Sequence, residues 1–353
     1  MFHLVVMACL NADPSLCDLR MLPAGDSVRQ EDCRQGGEQI ARDWFARHPQ
    51  IFAPNPPDCV ATDALPALAV EEAGDGVFVH LGRPEALSPE NAGRIANLSF
   101  VIGDSVLVID AGGSRAEGEA LYAAIRRETD LPISHLVLTH MHPDHILGSE
   151  VFSEAGATIV ANAKLPPAVS MRSASWRQSI PAQIGTKALL GTRIAPVDQL
   201  VSAPLTLDLG RTKVTLTPVA AAHTDNDLTA FDSRSGAFFT GDLVFRELTP
   251  VIDGSLSGWE SWLAEPPRDP APSLIIPGHG AIQNDWKEAI SPQKAYLDAL
   301  RSTVAALIAK GRAMSEAVPA TVKDMQAQAA GWADFDATTA RNAASAFSEL
   351  EWQ

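Results

Sequence analysis

The segment Thr139-His-Met-His-Pro-Asp-His-Ile-Leu-Gly148 gathers three histidines and an aspartate within six positions. Imidazole nitrogen and carboxylate oxygen form the donor set suited to zinc, and also to iron or manganese. His140 and His142 are an i, i+2 pair closing an apolar run; along an extended chain both rings project the same way. Asp144 and His145 fall at a turn into a helix and aim at a neighbouring point. One segment thus offers two half-built metal sites, and the remaining ligands must come from elsewhere. His223 in VAAAHTDND, Asp242 in FFTGDLVF and His279 in LIIPGHG each follow an apolar run beside small or turn residues, and Asp110 closes SVLVIDAGG in the same way. Taken singly, each is more often a hydrogen-bonded loop residue or a turn acid. As an ordered set with the histidine segment they point to a metal centre. Five of the nine histidines fall in these clusters, while His3, His48, His80 and His135 lack such a context and are read as structural.

The elements that must position these residues are short and β-rich. VFVHLG, NLSFVIG and SVLVIDAGG, with Gly103-Asp104 as a hairpin turn, precede a helix over RAEGEALYAAIRRET. ISHLVLTH reads as a buried strand feeding the histidine segment, and GATIVANA as another after a short helix. From Leu205 a comparable run begins again: LTLDLG, TKVTLTPVAAAH, DLTAFD, GAFFTGDLVF, a helix near GWESWLAE, and SLIIPGHG. Two such halves predict an α/β protein with sheet packed on sheet and helices outside. Residues 1–64 read as a small α/β accessory unit: a strand (FHLVVMACL), a polar turn-rich stretch, a helix (GEQIARDWFARHP) and CVATDAL. Residues 65–284 form the expected catalytic domain, and the Ala-rich, amphipathic tail 285–353 a helical extension packed on it.

Composition bounds the partners. Twenty-seven Lys plus Arg against 43 Asp plus Glu leave a formal charge of −16, which gives phosphate-backbone binding little to work with. Nucleic acid is excluded as a partner, and a small-molecule substrate is expected. No apolar run approaches the ~20 residues that span a bilayer. FHLVVMACL has no cationic start and reads as a strand rather than an export signal. Cys9, Cys17, Cys33 and Cys59 all lie near the start without a C-x-x-C pair, which favours two disulfides over zinc. Three connectivities are open, and the expectation is a nested Cys9–Cys59 with Cys17–Cys33. Disulfides would place the protein in the periplasm, although the chain shows no evident export signal; four reduced thiols would place it in the cytoplasm.

The series Asp110, His140-Met-His142-Pro-Asp144-His145, His223, Asp242 and His279 resembles the motif series of the metallo-β-lactamase superfamily, with no position missing over about residues 77–282. The resemblance implies a four-layer αββα sandwich with the site along one edge of the facing sheets, and two zinc ions. By the family pattern, His140, His142 and His223 hold one ion, Asp144, His145 and His279 the other, and Asp242 bridges. HPDHILG, AHTDNDLT, GDLVF, GSLSGW and FSELEW are further similar to the quinoprotein relay system zinc metallohydrolases and their sulfur-oxidation-cluster relatives. That closer resemblance implies redox-relay protein partners and defines no substrate. Asp242 as bridging acid is typical of thioesterases and lactonases, and places classical β-lactamase activity in doubt.

Two cations can lower the pKa of a bound water from 15.7 toward about 7 and so supply hydroxide at neutral pH. The expected function is therefore a dinuclear zinc hydrolase in which a metal-bound hydroxide cleaves an ester, thioester, lactone or lactam carbonyl, with Asp144 accepting a hydrogen bond from it and Asp110 orienting the histidine segment. The alternatives are an iron-dependent oxidoreductase using oxygen or persulfide chemistry, and a β-lactamase. Met171 to Trp176, Phe245 to Arg246 and Trp259 to Trp262 offer an apolar groove, with Trp176, Phe245 and Trp259 as its substrate-binding residues. The competing reading is that the tryptophans pack the core.

Overall fold

The computed structural model describes residues 1–265 and 271–352; the expected ranges 65–284 and 285–353 take in residues 266–270 and 353, which lie outside these. The first strands are β1 (Phe2–Leu10), β2 (Asp13–Ser27), β3 (Ile51–Phe52) and β4 (Asp58–Ala61), with helix α1 (Gln30–Arg47) between β2 and β3. β1 is the hub, antiparallel to the other three. Leu4, Val6 and Ala8 of β1 pack with Ala41 and Trp44 of α1. The stretch expected to be turn-rich is instead the 15-residue β2, because pairing with apolar β1 overrides a local composition containing Pro14, Pro23 and Gly25. α1 also begins earlier than expected and runs through Gly36 and Gly37. At Gly37 a Cβ would come within 2.7 Å of Leu4 Cδ1, so close packing on β1 requires the glycine that weakened the helical pattern.

The nested disulfide pairing is overturned. Cys9 is bonded to Cys17 and Cys33 to Cys59. Cys9 and Cys17 stand opposite one another in the β1–β2 register, so the strand missing from the sequence reading dictates the bond.

A seven-stranded sheet follows, in the order β11-β10-β9-β8-β7-β6-β5, built from β5 (Glu71–Gly74), β6 (Val77–His80), β7 (Leu98–Ile102), β8 (Val106–Ile109), β9 (Ile133–Leu138), β10 (Thr158–Asn162) and β11 (Gln199–Val201). β8 to β11 pair in parallel through helical crossovers, and β8 is buried along its whole length. The helices in this half are α2 (Arg115–Glu128), α3 (Pro143–Ile146), α4 (Ser149–Glu154) and α5 (Leu165–Ile184). The last sheet runs β12 (Leu205–Asp208), β13 (Lys213–Pro218), β14 (Leu228–Asp232), β15 (Ala237–Phe245) and β16 (Leu274–His279), antiparallel except for β15–β16. After it come α6 (Leu256–Ala264, between β15 and β16), α7 (Trp286–Ala309), α8 (Met314–Asp324) and α9 (Phe335–Leu350).

Val79, Val101, Ile109 and Val137 of the seven-stranded sheet meet Val214, Leu216, Ala230 and Phe239 of the five-stranded sheet in one apolar layer. Leu121 and Ile125 of α2 and Val151 of α4 cover the outer face of the former, and Trp259, Leu297 and Phe347 of α6, α7 and α9 belong to the core outside the latter. The order is helix, sheet, sheet, helix, as expected. No described helix is long and apolar enough to cross a membrane.

Charge ties the N-terminal sheet to this sandwich. Arg115 of α2, 1% exposed, contacts Glu119 at 2.8 Å, Glu150 at 3.1 Å and Glu154 at 2.6 Å, and donates to the Met21 carbonyl of β2. Arg20 of β2 joins at Glu119, and His48 after α1 joins at Glu150. Burial disfavours the Arg115 charge, but Glu154, Glu119 and Glu150 outweigh it and raise its pKa.

Candidate metal centre

β9 is flanked in parallel by β8 and β10, and the chain leaving it at Thr139 enters α3 with Pro143 in its first turn, a position that suits a residue with fixed φ and no N–H. His140, His142, Asp144 and His145 lie on this exit. His223 stands in the loop after β13, Asp242 inside β15, and His279 ends β16. Sequence positions far apart thus meet at one edge of the two facing sheets. Gly278 makes the approach possible, since a Cβ there would collide with Asp242 Oδ1.

Two clusters form. His140 Nε2 and His223 Nε2 lie 3.1 and 2.9 Å from His142 Nδ1, and Asp242 Oδ2 is 3.6 Å from His140 and 3.4 Å from His223. Beside them, His145 Nε2 and His279 Nε2 lie 3.5 and 3.4 Å from Asp144 Oδ2, and 3.2 and 3.3 Å from the two oxygens of Asp242. In each of the groups His140, His142, His223, Asp242 and Asp144, His145, His279, the donor atoms lie within 4.8 Å of one another.

The outer partner of each ring fixes which nitrogen faces inward. His223 Nδ1 donates to the Val251 carbonyl at 2.7 Å, His279 Nδ1 to the Ile95 carbonyl at 2.8 Å, and His145 Nδ1 to Asp110 Oδ2 at 2.8 Å. His140 Nδ1 donates to Thr139 Oγ1, and His142 Nε2 to Asp253 Oδ2 at 3.1 Å. The nitrogens left facing one another in the first cluster therefore carry lone pairs, which repel at such separations unless a cation or a proton lies between them. His145 Nε2 and Asp242 Oδ1 are buried 3.2 Å apart, and neither has a partner in good hydrogen-bond geometry. Orphaned nitrogen and oxygen donors converging on a shared point fit a divalent cation of the zinc type.

Electrostatics agree with that fit. Burial drives His140 well below its ordinary pKa and His223 down to about 3, so both are neutral donors. Burial opposes ionisation of Asp144, yet His145 and His279 outweigh it and bring that carboxyl to about 2; Asp242 is likewise held well below its ordinary value. Against the same burial, Asp242 raises His145 well above its usual pKa and His279 to about 9. Without a cation, protons on these two rings balance the two carboxylates.

Asp110 holds the histidine segment in place. It accepts from Thr139 N and Oγ1 and from His145 Nδ1, each at 2.8 Å, and sits at φ 60°, a left-handed backbone that these bonds must enforce. Of the three aromatic residues expected to line a groove, Phe245 and Trp259 are enclosed in the core. Phe245, 1% exposed, stacks on His279 at 5.1 Å, and Trp259, 0% exposed, meets His223 edge-on at 5.4 Å while its Nε1 donates to Leu243 O. Both back the rings instead of facing an opening, because β15 is buried along its whole length and α6 covers it. Trp176 is half-buried on α5 and packs against Leu147, Ile180 and Ile184. His3, His48, His80 and His135 bond to Thr62, Trp44 O, Ala69 O and Ser134, away from the clusters.

Several residues at the site carried no sequence signal. Asp253 pairs with Arg172 of α5 at 2.7 Å, and Arg172 Nε also contacts Met141 Sδ. Asp227, pushed up to about 8 by burial despite bonds from Thr224 N and Oγ1, ties together the loop that carries His223. The run AHTDND that holds it was visible, but its turn role was not.

The family model described as the metallo-beta-lactamase superfamily matches residues 92–279. Among solved structures, a metallo-beta-lactamase from Pontibacter korlensis is 17% identical, with 65% of this chain and 99% of that one covered at a TM-score of 0.53. A metallo-beta-lactamase from Hirschia baltica is 17% identical, covering 65% of this chain and 97% of that one at 0.50. A structure of the sec-alkyl sulfatase PisA1 is 15% identical and covers 78% of this chain and 49% of that one at 0.58. The sandwich is shared with these structures, and the family match spans more than half of the sequence, from just before β7 to the end of β16. The chain belongs to the metallo-beta-lactamase superfamily.

Proposed function

We propose that the protein is a dinuclear zinc hydrolase that cleaves an ester, thioester, lactone or lactam carbonyl. Asp242 carries this reading: a single buried carboxylate lies 3.2 to 3.6 Å from four imidazoles that belong to two clusters. His140, His142 and His223 would hold one ion and Asp144, His145 and His279 the other, with Asp242 shared. When bound, such a pair supplies Lewis acidity toward a carbonyl oxygen and a nucleophile drawn from water at neutral pH. The chain's own residues direct that chemistry. Asp144 stays ionised and 10% exposed, so it would accept a hydrogen bond from the attacking water and orient it. Asp110 acts through His145 and Thr139 and positions the histidine segment without touching substrate. His142, Asp253 and Arg172, 18%, 34% and 37% exposed, are the solvent-facing members, so substrate enters on their side.

The test is a panel of chromogenic ester, thioester, lactone and cephalosporin substrates, with a secondary alkyl sulfate added because an alkyl sulfatase shares the fold. At least one carbonyl substrate is expected to turn over, and Asp144→Asn to lower its kcat by at least about 100-fold. Unchanged turnover in that variant rejects the mechanism. Metal analysis of protein purified without added metal, with its visible spectrum, separates zinc from the iron-dependent alternative. The two disulfides favour an oxidising compartment, and we assign the periplasm.

A further inference from the structure

The hydrolase reading leaves the acyl part of the substrate unassigned, and a cavity beside the centre supplies a place for it. α5 runs along the open side of the site, where Arg172 reaches both Asp253 and Met141. Trp176 and Ile180 follow at four-residue intervals on the same face of the helix, so each lies about 6 Å further from the mouth. Both residues wall a cavity of about 640 Å³. Leu147, two residues beyond His145, lines it on the side nearest the metal clusters; Leu189, Leu190 and, from the N-terminal sheet, Ile51 line it elsewhere. None of the candidate ligands lines it. The volume falls in the range that holds a drug-sized molecule, and a lining dominated by aliphatic side chains and one indole favours hydrocarbon over water.

We propose that this cavity receives an extended hydrocarbon chain or ring of the substrate, so that the enzyme prefers carbonyl compounds with long apolar acyl groups over short ones; the inference rests on the hydrolase reading. It also gives the N-terminal unit a part in substrate choice, because Ile51 and Leu10 belong to the wall.

The experiment uses the zinc-loaded full chain and 4-nitrophenyl esters from acetate to octanoate, with N-phenyl-1-naphthylamine as an uncharged apolar dye that reports binding without turnover. Wild type is expected to show kcat/KM at least roughly 10-fold higher for octanoate than for acetate. Ile180→Trp and Leu189→Trp, which fill the cavity, are expected to lower that ratio by roughly tenfold and to weaken the dye signal. Near-UV circular dichroism and zinc content establish that each variant is folded; Leu189 is only half-buried and provides the safer of the two positions. Turnover with no dependence on chain length in wild type, or a ratio and dye signal that both variants retain, overturns the proposal while the hydrolase reading stands. If no carbonyl substrate reacts, yet the dye binds and both variants lose it, the hydrolase reading and the substrate class fall, and the cavity remains as an apolar ligand site.

Discussion

At the scale of single residues, the chemistry rests on which ring nitrogen each outer partner leaves free. Asp253 is the clearest case, because it is the partner that turns His142 so that Nδ1, not Nε2, faces His140 and His223. Asp253→Ala is therefore expected to weaken zinc binding by about 10- to 100-fold, measured by chelator competition, with little change in far-UV circular dichroism. The candidate ligands were legible in the sequence, since His140, His142, Asp144 and His145 crowd one segment and the others close apolar runs. Asp253 was not, lying 111 positions from His142 in a stretch without a motif. Phe245 and Trp259 were recognised as aromatic residues near the site, but residue type does not reveal facing. Phe245, on a strand buried along its whole length, and Trp259, on the helix that covers it, had only candidate ligand rings and core to pack against.

At the scale of elements, most strands of the sandwich were readable from their apolar runs, but the short edge strands β5 and β11 and the long β2 were not. A strand that owes its existence to pairing with β1 carries little pattern of its own, and with it went the correct disulfide partners. α5 was also unmarked: its apolar and polar residues follow no clear face and it contains Pro181, so the sequence suggested no element for the helix that flanks the site. The disulfides that result differ in the chain they enclose, with a sequence separation of 8 for Cys9–Cys17 against 26 for Cys33–Cys59. On chain entropy alone the longer loop contributes about 3.5 kcal/mol and the shorter about 2.5. Urea unfolding of Cys33→Ser/Cys59→Ser and Cys9→Ser/Cys17→Ser is expected to show the larger loss for the former pair.

At the scale of the whole molecule, buried ion pairs join the N-terminal sheet to the helices that follow the histidine segment. Burial pushes the Glu150 carboxyl up, but His48, Arg115 and Arg193 outweigh it and hold it below its ordinary 4.5. A depressed acid contributes stability that is present above pH 4.5 and is lost as pH falls through the folded value. Glu150→Gln should therefore unfold at lower urea than wild type at pH 7, and the gap between them should close as the pH is taken well below 4.5. The same cluster decides how this protein can be shortened. Cutting away the first 64 residues would strip Arg20, His48 and the Met21 carbonyl from around Arg115, leaving Glu119, Glu150 and Glu154 on Arg115 with only Arg193, 3.8 Å from Glu150, to help, beside the turn that presents Asp144 and His145. A trimmed variant is thus expected to lose stability at that turn, and anyone transplanting the sandwich into a new scaffold must carry the accessory hairpin and helix along or neutralise those acids by redesign.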